Sequence, residues 1–274
     1  MNLIQALILG IVQGATEFLP ISSSGHLVLA PWLFGWDIEP KAAFVFDVLV
    51  QWGTIVAVIA YFWRDLLSIA KAWLAGLWKR DPFADPQARL AWLLILATLP
   101  AALFGLLLKS TIERTFDQPL TVSLFLLATA GLLYFAERGS RPYKEMAVLT
   151  WVDSLWIGLA QTLALFPGIS RSGATIAGGL FRGLERDQAA RFSFLLSVPA
   201  MVGAGLIALI DLVNATNTMD QITPLVVGFL AAIVTGFIAI HWLLRYLQRH
   251  RLYVFSMYCI VVAMGGILLY ALRN

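Results

Sequence analysis

The sequence predicts an all-α polytopic membrane protein with an inverted-topology repeat, built from six transmembrane helices and two re-entrant helix hairpins. Three observations support this fold class. The chain of 274 residues is 60% hydrophobic and only 13% charged, with a mean hydropathy of +0.81, which is too apolar for a soluble domain. Six segments are long and apolar enough to span a bilayer. Two further apolar regions are interrupted by polar motifs that resemble each other.

Six uninterrupted segments have the length of about 20 mostly apolar residues that a transmembrane helix needs. These segments are Ala43–Trp63, Leu90–Leu108, Leu120–Ala136, Ala190–Leu212, Pro224–Leu244 and Tyr253–Leu272. We expect each of them to cross the membrane once, so that residues 1–274 form a single integral membrane domain.

Two other apolar regions are broken in the middle by polar residues. In the first, Leu3–Leu19 and Leu27–Trp36 flank the stretch PISSSGH, and in the second, Ser154–Phe166 and Ala174–Phe181 flank PGISRSGA. The second arms are too short to cross alone, and polar backbone at membrane depth must be covered by protein or face a water-filled cavity. Both regions are therefore predicted to be re-entrant helix–turn–helix hairpins.

The two broken regions are related by a shift of 148 residues, which leaves 8 of 26 successive positions identical without a gap. The identical pairs are Gly10 with Gly158, Gln13 with Gln161, Phe18 with Phe166, Ile21 with Ile169, Ser22 with Ser170, Ser24 with Ser172, Gly25 with Gly173 and Gly35 with Gly183. Shared Gln, Ser and Gly positions are not expected from apolar composition alone, so they indicate a duplication. The first repeat is placed at residues 1–137 and the second at residues 150–274. Because each repeat has three spans, an odd number, the second enters from the opposite face.

The Lys and Arg residues are distributed unevenly between the two faces of the predicted bundle. Fourteen of the nineteen lie at one face and four at the other, and the last, Arg171, falls at a hairpin tip inside the membrane. Because positive charge marks the cytoplasmic side, we expect both termini to lie outside and the first hairpin to enter from the outer face.

Glu17 and Arg171 stand in the two hairpin motifs, and ionisable side chains at membrane depth indicate a functional site by default. An ion pair that only clamps the two hairpins together is the alternative. The residues around them argue for more than a clamp, because each motif also carries serine and glycine at the predicted start of a helix.

The serines and glycines of both motifs suit an anion, and phosphate in particular. They are Ser22, Ser24 and Gly25 in the first hairpin and Ser170, Ser172 and Gly173 in the second. A helix N-terminus presents free N–H groups and partial positive charge to an anion, and glycine allows close approach of the backbone. Arg171 adds a planar fork of donors for phosphate oxygens. The sequence therefore predicts an anion site where the hairpins meet.

The two hairpins differ at Glu17, Ser23 and His26, which become leucine, arginine and alanine in the second. These three residues supply a carboxylate, a hydroxyl nucleophile and a proton shuttle, which phosphoryl transfer uses. Gln13 lies on the same helix face as Glu17, four residues earlier. A divalent cation, Mg²⁺ or Ca²⁺, that bridges Glu17 to phosphate oxygens would offset their repulsion, so Glu17 is also the expected metal ligand.

The motifs QGATEFLPISSSGH and PGISRSGAT resemble the two signature motifs of the undecaprenyl-diphosphate phosphatase family, the bacitracin-resistance type called BacA or UppP. The order of the motifs, the chain length and the number of spans agree as well. The resemblance implies hydrolysis of undecaprenyl diphosphate, a polyprenyl diphosphate lipid, to the monophosphate and inorganic phosphate. It places the protein in the bacterial inner membrane, among membrane lipids, and implies a homodimer; no nucleic-acid partner is expected.

By motif position, the resemblance implies that Glu17 is the essential acidic residue and Arg171 the phosphate-binding arginine. Gln13 occupies the first position of an (E/Q)xxxE element, and Ser23 and His26 match the positions debated as nucleophile. The remaining polar positions of the second motif are occupied by Ser170, Ser172 and Thr175.

Several alternatives stay open at this point. Ser23 is the preferred nucleophile, with His26 or Glu17 as its base, but His26 could instead attack phosphorus directly while Ser23 holds an oxygen. A lipid-phosphate flippase with the same midplane anion site is the alternative function, because inverted repeats with broken helices are a transporter architecture. Asp47 and Gln51, four residues apart in the first span, are further candidates, with an interhelical hydrogen bond as the alternative.

Overall fold

The structure is a computed structural model that describes residues 1–116, 118–141, 143–215 and 222–273, without the side chains of residues 113, 116 and 209–215. Within these ranges the chain forms twelve α-helices and one 3₁₀ helix, Met146–Val148, and no strand. The α-helices are α1 (Leu3–Phe18), α2 (Ser23–Phe34), α3 (Pro40–Tyr61), α4 (Trp63–Trp78), α5 (Pro86–Leu107), α6 (Lys109–Phe116), α7 (Pro119–Gly139), α8 (Trp151–Leu163), α9 (Arg171–Phe181), α10 (Arg186–Ala215), α11 (Ile222–Leu247) and α12 (Tyr253–Arg273).

Six of the described helices are long and apolar enough to cross a membrane, namely α3, α5, α7, α10, α11 and α12. Each coincides with a predicted span, so the prediction of six spans in a polytopic, all-helical membrane protein is confirmed. Pro40, Pro86 and Pro119 stand in the first turn of α3, α5 and α7, where proline fits the helix and loses no hydrogen bond. Hydropathy and these proline starts explain why the spans lie where the sequence predicts them.

Two pairs of shorter helices occupy the broken regions. α1 and α2 have 16 and 12 residues, and α8 and α9 have 13 and 11. At 1.5 Å per residue, the second arms α2 and α9 are about 18 and 17 Å long. Both are shorter than the hydrocarbon layer of roughly 30 Å, so neither arm can span it alone.

The arms of these pairs begin and end at different residues from those predicted. α2 begins at Ser23 rather than at Leu27, and α9 begins at Arg171 rather than at Ala174, because a serine caps each helix immediately before. The first arm of the second pair runs over Trp151–Leu163 instead of Ser154–Phe166. Ser23, Ser24 and Gly25 therefore lie in the first turn of α2, as Arg171, Ser172 and Gly173 do in α9, instead of in the loops before these helices.

The first arm of each pair packs against a span through a glycine. A Cβ built at Gly10 of α1 would lie 2.8 Å from the Cα of Gly228 in α11, and a Cβ at Gly158 of α8 would lie 2.8 Å from the Cα of Ala97 in α5. Real Cβ atoms essentially never come within 3.0 Å of such neighbours. Only glycine therefore permits these two close helix contacts, in the manner of small residues between membrane helices.

Helix α4, between the first two spans, was not predicted. Its residue Ile69 is buried against the core, whereas Leu67, Leu74 and Trp78 are exposed. Apolar residues left exposed beside charged ones suit a helix that lies in the membrane interface. The 16 residues of α4 are too short and too rich in charge to be recognised as a span.

A fully buried carboxylate, Asp153, joins α8 to its neighbours at the end of the bundle where the basic residues gather. It accepts hydrogen bonds from Lys144 and Arg182, each at 2.7 Å. Burial by itself would raise the pKa of Asp153, but hydrogen bonds from Lys144, the Thr150 backbone and Arg182 together hold this pKa well below its usual range. Asp153 is thus ionised in the folded protein and anchors the start of α8.

Candidate active site

The turn between α1 and α2 places three serines at the start of α2. Ser22 caps this helix: its Oγ accepts the N–H of Gly25 at 3.3 Å and lies 3.3 Å from Ser24 Oγ. The φ of Ser22 is 70°, in the left-handed region that residues other than glycine rarely adopt. This backbone turn makes Ser23 the first residue of α2, with its hydroxyl against the end of α1.

The turn between α8 and α9 has the same arrangement. Ser170 caps α9: its Oγ accepts the N–H of Gly173 at 3.0 Å and lies 3.1 Å from Ser172 Oγ. The N–H of Ser170 donates to Thr129 Oγ1 of α7 at 3.0 Å, and Thr129 donates to the carbonyl of Gly168 at 2.8 Å. The second turn is therefore fixed by one of the spans as well as by its own cap.

The two turns are in direct contact. Ser172 Oγ donates to the carbonyl of Leu19 at 2.9 Å, and a Cβ at Gly25 would lie 3.2 Å from the Cα of Gly168. Such a separation leaves no room for a side chain at Gly25 without displacing the other turn. The structure thus brings the two polar motifs to one place, as the sequence predicts.

Glu17 is the residue on which the site side chains converge. Its Oε2 accepts a hydrogen bond from Ser23 Oγ at 2.5 Å and one from Gln13 Nε2 at 3.1 Å, and its Oε1 accepts from Arg171 Nη2 at 2.9 Å. The side chains of Glu17 and Arg171 are only 10% and 15% exposed, which strengthens bonds between charged groups. The ion pair considered as a simple clamp is present, but it is one part of this four-residue cluster.

His26 lies next to the cluster and bonds elsewhere. Its Nδ1 is 2.7 Å from the carbonyl of Ser22, and its Nε2 is 2.8 Å from Tyr258 Oη of α12. The imidazole and the Tyr258 ring are stacked, with centroids 5.6 Å apart. The hydroxyl of Ser23 donates to Glu17 instead, so of the two bases considered for Ser23, Glu17 is the one in contact with it.

The other polar residues predicted to bind substrate are mostly buried. Ser22, Ser170, Ser172 and Thr175 are between 0% and 3% exposed. The hydroxyl of Thr175 lies 2.6 Å from Ser193 Oγ of α10. These four hydroxyls hold the helix starts in place through bonds to other protein atoms, and direct contact of any of them with a substrate stays a prediction.

Asp47 and Gln51 of α3 do not join the cluster by any described hydrogen bond. Asp47 is exposed and no described residue bonds to its carboxylate, so the interhelical hydrogen bond considered for it is not formed. The carbonyl of Gln51 accepts the hydroxyl of Thr54 within the same helix. A direct role of either residue stays a prediction.

The chain is similar to known proteins over nearly its whole length. The model of one family, described as bacitracin resistance protein BacA, matches residues 6–265. The chain belongs to this family. The matched region contains both polar motifs and the whole Glu17 cluster, so the residues that meet at the turns lie in the part that defines the family.

Three relatives of this BacA family member are each named undecaprenyl-diphosphatase. The protein of Thermomicrobium roseum is 46% identical over 276 residues, which cover 98% of both chains. The protein of Myxococcus xanthus is 45% identical over 274 residues, covering 100% of this chain and 90% of the relative. The protein of Methanosphaera stadtmanae is 42% identical over 279 residues, covering 98% of both chains.

The site offers a single carboxylate to a metal ion. No group of three or more His, Cys, Asp or Glu side chains among the described residues could hold one. Both oxygens of Glu17 already bond to neighbouring side chains. Mg²⁺ is commonly bound by one or two carboxylates together with phosphate oxygens, so Glu17 is the residue that would hold a divalent cation, and this metal site stays a prediction.

Sequence analysis missed three residues that contact the site, Thr129, Ser193 and Tyr258. Each stands in a mostly apolar span that carries other hydroxyl side chains as well, so its position in the sequence gives no signal of its own. The carbonyl of Ser193 accepts a bond of 3.5 Å from Arg171 Nη1. Only the packing of α7, α10 and α12 around the two turns shows that these residues support the site.

Proposed function

We propose that the protein hydrolyses undecaprenyl diphosphate to undecaprenyl phosphate and inorganic phosphate in the bacterial cytoplasmic membrane, which recycles the lipid carrier of cell-wall glycans. Membership of the BacA family and relatives named undecaprenyl-diphosphatase support this activity. The structural observation that carries it is the Ser23 hydroxyl, bonded at 2.5 Å to a carboxylate that also binds Arg171. These names give no support to the flippase alternative.

Ser23 is the nucleophile that this geometry favours. A serine hydroxyl is a weak nucleophile unless an adjacent base takes its proton, and Glu17 Oε2 accepts that hydrogen bond directly. His26 is less suited to attack, because its Nδ1 bonds to a backbone carbonyl and its Nε2 to Tyr258. Gln13 donates to the same carboxylate oxygen as Ser23 and thereby orients it.

In the proposed reaction, Ser23 Oγ attacks the terminal phosphorus while its proton passes to Glu17. The new Oγ–P bond forms as the bond from this phosphorus to the bridging oxygen breaks, and undecaprenyl phosphate leaves with that oxygen. A water molecule then attacks the phosphoserine, releases inorganic phosphate and restores the Ser23 hydroxyl. Charge spreads over the terminal phosphate oxygens during both steps and needs cationic partners.

Arg171 and the two helix starts supply those partners. A guanidinium has five N–H donors, and three contacts occupy it here, with Glu17, Ser193 and the Met201 sulfur. Donors therefore remain for phosphate oxygens. The starts of α2 and α9 meet at the same point with their N-terminal ends, and their partial positive charge favours a diphosphate there.

A divalent cation, Mg²⁺ or Ca²⁺, is part of the proposal. Glu17 would hold it together with oxygens of the diphosphate. When bound, it would neutralise charge on the substrate. The protein's own contribution at this point is to fix the Glu17 carboxylate between Gln13, Ser23 and Arg171.

The fold that we propose for this function is an inverted repeat with two re-entrant hairpins, α1–α2 and α8–α9. Both hairpins have a serine cap with a second serine two residues later, 148 residues apart. The glycine pair Gly10 and Gly158, also 148 residues apart, makes the contact of each first arm with a span. Turns that meet inside the bundle fit the midplane sites of inverted repeats.

The proposed orientation has both termini outside and the site open to the outer face. The basic residues Lys144, Arg182 and Arg191 lie at one end of the bundle, where they pair with Asp153 and Asp65, in agreement with a cytoplasmic face rich in positive charge. The start of α1 is then outside, and the substrate reaches the turns from the leaflet where lipid diphosphate is released. A homodimer is also proposed, from the family resemblance alone.

The test is release of inorganic phosphate from undecaprenyl diphosphate by the detergent-purified protein. We expect Ser23→Ala to reduce the rate by roughly 100-fold or more, the range of a lost catalytic group, while Ser68→Ala, a change at an exposed serine of α4, retains most of it. A chelator should abolish release, and added Mg²⁺ or Ca²⁺ should restore it. A correctly folded wild type that releases no phosphate with any cation would refute the phosphatase and return the flippase to consideration.

A further inference from the structure

We propose that Tyr258 is the positioning residue of His26: its hydroxyl fixes the orientation of the imidazole at Nε2, while the Ser22 carbonyl sets the tautomer at Nδ1. The inference rests on the proposed phosphatase function, because it gives a partner to a residue of that site. It concerns a contact between α2 and α12, two helices whose paired residues are 232 positions apart in the chain.

The carbonyl of Ser22 determines which nitrogen of the neutral His26 ring carries the proton. The carbonyl of Ser22 can only accept a hydrogen bond, and it lies 2.7 Å from His26 Nδ1, so Nδ1 carries a proton. The same carbonyl also accepts the backbone N–H of His26 at 3.2 Å. The left-handed backbone of Ser22 places this carbonyl, which keeps Nδ1 occupied whatever the state of the other nitrogen.

The hydroxyl of Tyr258 is the hydrogen-bond partner of the other nitrogen, Nε2. In the neutral imidazole with Nδ1 protonated, Nε2 has a lone pair, and Tyr258 Oη at 2.8 Å donates to it. When Nε2 gains a proton, the hydroxyl turns and accepts the new N–H, since a phenol can both donate and accept. The His26 ring therefore keeps the same orientation and the same partner whether Nε2 is protonated or not.

Tyr258 is 41% exposed, but its helix α12 contacts the first turn and α2 at two other points. Its neighbour Cys259 is fully buried and its Sγ lies 3.9 Å from the carbonyl of Pro20 in the turn. At the other end of α12, Arg273 donates to the carbonyls of Trp32 and Leu33 at 2.7 and 3.3 Å. Because α12 is tied to the turn and to the end of α2, the position of the hydroxyl relative to His26 is well determined.

This arrangement separates two proton-transfer roles within the site. Glu17 accepts the proton of Ser23, which leaves the His26 imidazole, held at both of its nitrogens, to the later hydrolysis of the phosphoserine. A group confined to one titrating nitrogen and one orientation is suited to general acid–base catalysis. Tyr258 acts through His26 and has no role of its own in the chemistry.

The kinetic test is the Tyr258→Phe variant, which keeps the ring and its stacking and removes one oxygen. We expect kcat to fall roughly tenfold, as for one lost hydrogen bond, with KM changed less than about twofold. Tyr253→Phe, the same change near the start of α12, is the matched control and should leave both constants unchanged. In a His26→Gln background, Tyr258→Phe should have no further effect. An equal loss in both backgrounds, or no loss in either, would overturn the proposal.

A second measurement decides the same point without relying on activity. Diethyl pyrocarbonate acylates neutral imidazole nitrogens, and mass spectrometry gives the rate at each histidine of the intact protein. Tyr258→Phe should accelerate modification of His26 by about threefold or more, because Nε2 loses its partner, while His241 and His250 keep their rates. An unchanged rate at His26 refutes the positioning role. If the wild type releases no phosphate, the proposed function fails, but this comparison still decides whether Tyr258 holds His26.

Discussion

The substitution Glu17→Gln tests the centre of the site most directly, because it changes one charge and almost no volume. The ion pair with Arg171 spans 2.9 Å between groups that are 10% and 15% exposed. At an effective dielectric constant of about 20, the attraction across this distance is about 6 kcal/mol. Desolvation of both charges offsets most of it, and the amide oxygen can still accept from Arg171. We therefore expect the free energy of unfolding to fall by only about 1–3 kcal/mol.

The effect of Glu17→Gln on catalysis should be much larger than its effect on stability. An amide cannot take the proton of Ser23, and loss of a general base costs roughly 100- to 10,000-fold in rate. The assay is phosphate release from undecaprenyl diphosphate, with the thermal midpoint of unfolding measured on the same detergent sample.

Asp65→Asn is the control for Glu17→Gln. Asp65 of α4 is also a carboxylate bonded to an arginine, since it accepts a hydrogen bond of 2.5 Å from Arg191 of α10. Phosphate release by this variant should match that of the wild type. A folded Glu17→Gln protein with a rate within about threefold of the wild type would refute Glu17 as the base.

Three further predictions concern the architecture that holds the site. Gly10→Ala should lower the free energy of unfolding by about 1–3 kcal/mol, because the new Cβ would meet the backbone of Gly228. Gly265→Ala is the control and should leave this free energy unchanged, because a Cβ at Gly265 would point into open space. Equal thermal midpoints for the two variants would contradict this packing. Ser170→Ala removes the cap of α9 and should cost about 1 kcal/mol in the same assay, and no change would mean that the cap does not stabilise the turn. The pKa of Asp153 is lowered by its partners, so its contribution to stability is present above the unfolded value of about 3.9 and is lost as the pH falls below it. Asp153→Asn should therefore lose about 3–5 kcal/mol at neutral pH and show a weaker decline in thermal midpoint below about pH 4 than the wild type; parallel declines would exclude Asp153 as the cause.

The extent of each helix shows where sequence reasoning succeeds in this protein. The six spans follow from length and hydropathy, because a segment that buries its backbone in lipid must form a helix of defined minimum length. The starts of α2 and α9 were misplaced by three or four residues, since a serine that caps a helix and a serine in the preceding loop have the same composition. Helix α4 is not predicted because it has only 16 residues, with Arg64, Asp65 and Lys71 among them, and so falls short of a span.

The sequence by itself determined that Glu17, Arg171 and the serines of two related motifs belong to one polar site within an apolar bundle. Such residues are costly at membrane depth, and the repetition of the serines after 148 positions predicts that the two motifs act together. Only the tertiary structure decided which of them bond: Ser23 to Glu17, and His26 to Tyr258. The physical reason is that a hydrogen bond requires its two atoms within about 3 Å. The packing of α12 against the first turn, which no local pattern in the sequence encodes, sets the distance between His26 and Tyr258.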